Sequence, residues 1–94
     1  MNRNKINQIH LEVIDNLSKN IKKKRCDMGI SQSHLSALSG VENTTISRLE
    51  NMEIANPKLL TLSKLAKGLN TTIASLITAA LSLANHCCIE QYLN

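Results

Sequence analysis

The feature that most limits how this chain folds is a pair of very short helical patterns on either side of Gly40. Ser31 can cap the first pattern through its hydroxyl, and Leu35 and Leu38 are expected to form its buried face before the glycine ends it. The second pattern runs through residues 41–50 and keeps its polar residues on one side. Helices of about two turns are marginal in water, so both must pack against other helices of the chain.

Three further helical patterns supply those partners. Apolar residues recur at steps of three or four in residues 6–27, which predicts helix 1. The helix is either continuous or interrupted once, and it is expected to stop before Gly29. Pro57 fits the first turn of helix 4, Asn70 is expected to end it, and a threonine of residues 71–72 can cap helix 5. No segment alternates like a strand, so the prediction is all-α. The core positions expected in these helices are Ile6, Ile9, Val13, Leu17, Ile21, Leu59, Leu62, Leu65 or Ala66, Ile73, Leu76, Ile77, Ala80, Leu81 and Ala84.

Composition narrows the class of partner. The 94 residues suffice for one small domain, whose core must be aliphatic because Tyr92 is the one aromatic residue. Modules for RNA and single-stranded DNA stack bases on aromatic side chains, so that kind of recognition is disfavoured. The net charge of +4 favours a polyanionic partner, although it would also suit a basic protein for which the charge only aids solubility. The basic run Lys22–Arg25 has two open interpretations, solvated cations at the end of helix 1 or phosphate contacts.

Several other classes find no support in the sequence. Neither a secretory leader nor a membrane span is indicated, so we expect a cytoplasmic protein. Cys26, Cys87 and Cys88 are odd in number and are expected to stay reduced, and His86 beside them lacks the second ligand cluster that a zinc site needs. We therefore predict no metal and no cofactor. The histidines and glycines form no catalytic or nucleotide-binding motif, which argues against an enzyme or a small-molecule substrate.

The residues on both sides of Gly40 carry a family resemblance. Arg25, the segment SQSHLSALSGVENTTISRLEN of residues 31–51 and the run NPKLLTLSKLAKGLN resemble the lambda repressor-like, Cro/C1-type (XRE) helix-turn-helix family. The resemblance extends from about Ile21 to Ile77. It implies a five-helix lambda repressor-like DNA-binding domain with an extended carboxyl-terminal helix. The chain then divides into an amino-terminal helical extension that includes the start of helix 1 (1–20), the helix-turn-helix domain (21–78) and a helical tail that can serve dimerisation (79–94).

The resemblance also implies which residues contact DNA bases. Asn43 and Thr44, the first exposed residues of helix 3, are expected to meet base edges, because Asn pairs with adenine and the Thr methyl contacts the methyl of thymine. Arg48, one turn further on, is expected to reach guanine or a phosphate. An exposed arginine that only aids solubility is the alternative for Arg48.

Other positions are implied to hold the phosphate backbone or the fold. Gln32 is expected to bind a phosphate and brace helix 3, the alternative being a solvated side chain, and Thr45 either contacts the backbone or packs under the helix. Two further phosphate contacts are expected around the loop after helix 3. These are Asn51 and Lys58. Arg25 and Glu50 occupy the family's positions for a structural ion pair.

Three residues depart from the family pattern. Glu42 stands where a Ser or Thr cap is usual, Met52 replaces a glycine, and Glu53 stands where a basic residue is frequent. The two acids weaken attraction to phosphates, so modest affinity and a need for dimerisation are expected.

The resemblance implies a transcriptional regulator, in most cases a repressor, that binds a palindromic operator in double-stranded DNA as a homodimer. Either the apolar residues of 79–94 or the first turns of helix 1 can form the dimer contact; the former are favoured, with folding back onto the chain's own core as the alternative. The rival function is a protein-interaction module, such as an antitoxin or anti-repressor partner.

Overall fold

The computed structural model describes residues 3–78, with side chains from Gln8 onwards. It contains five α-helices, and no strand occurs within this range. The all-α, five-helix prediction is therefore confirmed. The helices are α1 (Arg3–Asp27), α2 (Gln32–Ser39), α3 (Asn43–Glu50), α4 (Leu59–Gly68) and α5 (Ile73–Ile77). The boundary predicted between residues 20 and 21 falls inside α1, which is one unbroken helix.

One aliphatic core holds the helices together. α1 packs against α3 and α5, α2 packs against α3 and α4, and α4 also contacts α5. The two short helices α2 and α3 are thus supported from both sides, as helices of this length require. The buried members of the core are Leu17, Ile21, Leu35, Val41, Ile46, Leu49, Leu62, Leu65, Ala66, Leu69 and Leu76.

Local signals in the sequence set most helix ends. Ser31 Oγ accepts a hydrogen bond from the backbone N–H of His34 (3.0 Å), which confirms it as the cap of α2. Gly40 ends α2 in the left-handed conformation at φ +79. Asn70 follows α4 at φ +55, where a glycine would be less strained. Of the two threonines considered for α5, Thr72 is the cap, and its Oγ1 accepts from Ser75 N (3.1 Å).

The buried face of α1 differs from the one predicted. Ile9 and Val13 were expected in the core, but they are 46% and 39% exposed. The buried apolar residues are Ile14, Leu17 and Ile21. The difference has a geometric reason: all described side chains of α1 before Ile14 are exposed, so the body of the domain covers this helix only from Ile14 onwards. The apolar spacing predicted the helix correctly but did not predict where its neighbours end.

Two leucines and the start of α4 also need correction. Leu38 is 50% exposed, since α2 approaches α4 along Leu35 and Ser39 and Leu38 lies one step around the helix from that line. Leu59 is 69% exposed because it is the first residue of α4, one turn before the buried part begins. Pro57 lies outside α4, which begins after Lys58 as its N-cap.

Gly68 permits the close contact between α2 and α4. A Cβ atom at this position would lie 2.9 Å from the Cβ and 3.2 Å from the Cα of Ser39. Distances this short require a backbone shift, so the two helices can approach this closely only without a side chain here.

The fifth helix is shorter than expected. An uninterrupted helix from Ile73 through Ala84 was predicted, but α5 ends at Ile77, and Thr78 is extended at φ −79 and ψ 144. Asn20 on α1 binds the end of this helix: its Nδ2 donates to the carbonyl oxygens of Leu76 (2.8 Å) and Thr78 (2.6 Å). The contact with Leu76 supplies a partner for one of the carbonyl groups that a helix end leaves without an intrahelical bond. The predicted tail of residues 79–94, with Cys87 and Cys88, lies outside the described residues.

None of the helices between residues 3 and 78 has the length and apolar character needed to cross a membrane.

Candidate nucleic-acid interface

Helix α3 has a buried side and a solvent side. Ile46, Leu49 and Glu50 are buried at steps of three and four residues. The residues expected to contact bases are all exposed on the remaining surface. These are Asn43, Thr44 and Arg48. Thr44 and Arg48 are four residues apart and therefore lie one above the other. The helix thus presents amide, hydroxyl and guanidinium groups to the solvent.

Hydrogen bonds within the turn set the position of α3 relative to α2. Ser36 Oγ donates to the carbonyl oxygen of Val41 (2.6 Å), and Ser39 Oγ accepts from the N–H of Val41 (3.2 Å). At the start of α3, Asn43 Nδ2 donates to Ser33 Oγ (3.2 Å) on α2. These three contacts connect the two helices where they meet, so the amino end of α3 moves with α2.

A cluster of polar side chains joins the other end of α3 to α1 and α2. The carboxylate of Glu50 accepts from Arg25 Nε (2.7 Å) and from the second guanidinium nitrogen, NH2 (2.9 Å), so the expected ion pair is present in bidentate form. The side chain of Glu50 is 2% exposed and that of Arg25 is 14% exposed. Arg25 also donates to the Ile30 carbonyl oxygen (2.9 Å). This buried charge on α3 is therefore paired and hydrogen-bonded, as stability requires.

Gln32 belongs to the same cluster. Its Nε2 donates to Glu50 Oε1 (3.1 Å), which makes it a direct connection from the first turn of α2 to the last turn of α3. The side chain is half-buried. The structure thus contains the bracing contact that the sequence suggested.

A shallow groove lies between α3 and the start of α4. Its volume is about 270 Å³, and two of the expected phosphate contacts, Thr45 and Lys58, line it. Thr45 is half-buried and Lys58 is exposed. Asn51 is exposed at the carboxyl end of α3. The residues lining the groove are Thr45, Leu49, Ile54, Asn56, Pro57, Lys58 and Thr61.

Two residues of α1 that the sequence reading missed hold the loop after α3. Buried Ser18 donates from Oγ to the Glu50 carbonyl oxygen (2.7 Å), and His10 Nε2 lies 2.7 Å from the Ala55 carbonyl oxygen, where it donates as the N–H tautomer. The signal for Ser18 was available: it is a polar residue between the apolar residues Ile14 and Ile21 on the core face. Nothing local distinguishes His10, which is exposed.

The departures from the family pattern have visible consequences. Glu42 is the N-cap of α3 but makes no capping hydrogen bond with its side chain, as predicted for this residue. Met52 adopts φ +59, the left-handed conformation that favours glycine. Glu53 is exposed, so it and Glu42 place negative charge near α3. In the basic run, Lys23 forms an ion pair with Asp27 of its own helix.

No three His, Cys, Asp or Glu residues in the described part of the chain lie together as metal ligands. Cys26 is half-buried near the end of α1.

Comparison with known families agrees with this geometry. A family model described as helix-turn-helix matches residues 21–76, more than half of the 94-residue chain. No curated protein and no solved structure matches the chain. The matched range contains α2, α3, the Arg25–Glu50 pair and the groove, while most of α1 precedes it. Because the match covers the whole site and most of the chain, this protein belongs to the Cro/C1-type (XRE) helix-turn-helix family of DNA-binding regulators.

Proposed function

We propose that this protein is a sequence-specific transcriptional repressor that reads the major groove with α3, as a homodimer on a palindromic operator. The observation that carries the proposal is the exposed polar side of α3, on a helix whose other side is anchored to α1 and α2 through Glu50. The major groove of B-DNA is about 12 Å wide and admits an α-helix. A rigidly held helix can present its side chains to base edges without first becoming ordered.

In this proposal Asn43, Thr44 and Arg48 contact bases. Asn43 and Thr44 occupy the first turn of α3, and Arg48 follows one turn later, so together they cover adjacent base pairs. The amide of Asn43 already bonds Ser33 Oγ in an exposed position (3.2 Å). Exchanging that contact for adenine costs little, because exposed hydrogen bonds contribute little net stability.

The phosphate contacts are assigned to Gln32, Thr45, Asn51 and Lys58. The shared groove supports the pairing of Thr45 with Lys58, since a phosphate oxygen there would meet a hydroxyl and an ammonium together. Gln32 combines a bracing bond to Glu50 with a position in the first turn of α2, where helix N–H groups favour an anion. Its own contact with phosphate would then position α3 directly.

Dimerisation follows from the small size of the interface. One α3 offers three base contacts, and two copies reading half-sites about 34 Å apart double them. The exposed acids Glu42 and Glu53 oppose phosphate binding and strengthen this need. A dimer contact involving residues 79–94 remains the favoured arrangement. Occupation of an operator excludes other proteins from the same DNA, so binding alone is sufficient for repression. The protein that we propose is a cytoplasmic regulator, and its function requires neither a cofactor nor a catalytic step.

The test is to select duplexes from a random pool and then measure binding of variants at several salt concentrations. Arg48→Ala should relax preference at one base pair and cost about 1–3 kcal/mol on the selected site. Lys58→Ala should weaken all sequences alike and reduce the salt slope by about one. Lys64→Ala removes the same charge from an exposed α4 residue outside the groove and should change neither. Equal losses for Arg48→Ala on selected and random DNA would contradict its role as a base reader.

The second candidate is a protein-interaction module that keeps the fold without DNA binding. Exposed Glu42 at the amino end of α3 favours it, since that residue neither caps the helix nor suits phosphate. Absence of any duplex binding at low salt would favour this function.

A further inference from the structure

One side of α1 carries a row of residues that the domain covers only in part. Ile9, Val13, Asn16 and Asn20 follow each other at steps of four, three and four, so they lie on one face of the helix. We call this row the α1 stripe. At its carboxyl-terminal half, Asn20 Nδ2 donates to the carbonyl oxygens at the end of α5, and Asn16 Nδ2 donates to that of Ile77 (3.5 Å).

The amino-terminal half of the α1 stripe is apolar and open. Ile9 is 46% exposed and Val13 is 39% exposed. Ile77, at the end of α5 beside Asn16, is also 38% exposed. A helix end with no buried side chain has little to hold it in water, because helical stability in proteins comes mainly from packing of an apolar face. Within residues 8–78, whose side chains the structure describes, this half of the stripe therefore lacks a cover.

The chain leaves the described structure at the α1 stripe. Thr78 is the last described residue, its carbonyl oxygen lies 2.6 Å from Asn20 Nδ2, and its backbone is extended rather than helical. The last described carbonyl groups, those of Ile77 and Thr78, therefore lie beside Asn16 and Asn20, on the helix face that also carries Val13 and Ile9.

The segment that follows has a suitable length and chemistry. Residues 79–94 number sixteen, and Glu90 is their one formally charged side chain. A helix of that length spans about 24 Å, while α1 extends about 20 Å from Asn16 back to Arg3. The apolar residues of this segment are Ala79, Ala80, Leu81, Leu83, Ala84, Cys87, Cys88, Ile89, Tyr92 and Leu93.

We propose that residues 79–94 fold back along α1 within the same chain and cover Ile9 and Val13. The same chain is favoured over a second copy because the segment is already tethered at the stripe, which gives it a high effective concentration there. Its apolar residues exceed what one contact face can hold, so a second apolar face is left over for the proposed dimer. The amino-terminal part of α1, which precedes the family match, then serves as the support for the end of the chain.

Tyr92 provides a direct test, since it is the one aromatic residue and lies in the segment. We expect Ile9→Asn and Val13→Asn in the full chain to raise quenching of tyrosine fluorescence by acrylamide several-fold. Leu11→Asn is the matched control, because Leu11 is 59% exposed on α1 but off the stripe, and it should leave quenching unchanged. The proposal would be overturned if quenching rose equally in all three variants, or if it rose in none of them. Circular dichroism checks that each variant folds, and Ile9→Asn, at the more exposed stripe position, is the mildest change.

A disulfide experiment distinguishes the same chain from a second copy. In a Cys26→Ser background, Ile9→Cys should form a disulfide with Cys87 or Cys88 under mild oxidation and run as a monomer on a denaturing gel. Leu11→Cys should link much more slowly. Peptide mapping identifies the linked pair. Covalent dimers as the sole product, or equal rates for positions 9 and 11, would contradict the proposal, and neither readout depends on DNA binding.

Discussion

The two helices of the helix-turn-helix have the same length but are stabilised in opposite ways. α2 and α3 each have eight residues. α2 begins with a side-chain cap from Ser31 and ends at Gly40 in the left-handed conformation. α3 begins at Glu42 without a side-chain cap and is followed by Met52, a non-glycine residue at φ +59. The helix with the weaker ends is nevertheless the more buried one, because α3 buries three residues and α2 buries one.

This contrast indicates which residues set the ends and the position of each helix. Both ends of α2 are set by residues beside it, Ser31 and Gly40, whereas the position of α3 depends on contacts from α1 and α2, above all through Glu50. A helix anchored on its buried side leaves the other side free to vary. The residues on the exposed side of α3 can therefore be substituted with little effect on folding, since surface substitutions away from special features alter stability by about 0.5 kcal/mol or less.

The largest effect is expected when the ion pair that connects α3 to α1 is broken. Arg25→Met should lower the free energy of unfolding by about 3–5 kcal/mol, because it leaves the buried Glu50 carboxylate without its cation. Urea unfolding measures the change. Lys19→Met is the control: its pair with Asp15 is 57% and 38% exposed, so the loss should stay below about 1 kcal/mol. Similar losses for both variants would mean that the Arg25 pair is no stronger than a surface one.

The next test removes the side-chain cap of α2 and adds a side-chain cap to α3. Ser31→Ala should cost about 1 kcal/mol, because the N–H of His34 loses its acceptor. Glu42→Ser should gain about 0.5 kcal/mol, since a new cap is partly offset by the loss of a negative charge near the helix amino end. Thermal unfolding of both variants provides the comparison. A loss of stability with Glu42→Ser would show that α3 uses the glutamate in a way its contacts do not reveal.

A smaller effect is expected at the carboxyl end of α3. Met52→Gly should raise stability by up to about 1 kcal/mol, because glycine adopts φ +59 without steric cost. Met28→Gly is a matched control, since Met28 is also 43% exposed but is not at positive φ, and this change should be neutral or destabilising. Chemical denaturation distinguishes them, and an equal response of the two methionines would argue against strain at Met52.

The smallest effect concerns the loop that follows α3. His10→Ala removes one exposed hydrogen bond to the Ala55 carbonyl and should cost about 0.5 kcal/mol locally. That corresponds to about twofold faster cleavage after Glu53 by a glutamate-specific protease, because local opening controls cleavage of a folded loop. His34→Ala changes an exposed histidine on α2 and should leave the rate unaltered. An unchanged rate for His10→Ala would show that α1 does not restrain this loop.

The five helices, most of their ends and the exposed side of α3 could be predicted from local patterns in the sequence. Caps such as Ser31 and stops such as Gly40 act on backbone groups within four residues. They can therefore be predicted from the sequence without any knowledge of the neighbouring helices. The same holds for Ile46 and Leu49, whose spacing already defined the buried side of α3 and hence the polar side opposite it.

The choice of core residues on α1 and the contacts at the end of α5 could not be predicted, because they arise from packing between distant parts of the chain. Val13 and Ile14 are both apolar, but Ile14 is 6% exposed and Val13 39%, because consecutive side chains of a helix point about 100° apart and the neighbouring helices cover only one of these two directions. Asn20 binds the chain just after α5 through a hydrogen bond to the Thr78 carbonyl oxygen, a partner 58 residues away. A contact over that separation leaves no local pattern, since both residues are placed by the packing of the whole core rather than by their neighbours in the chain.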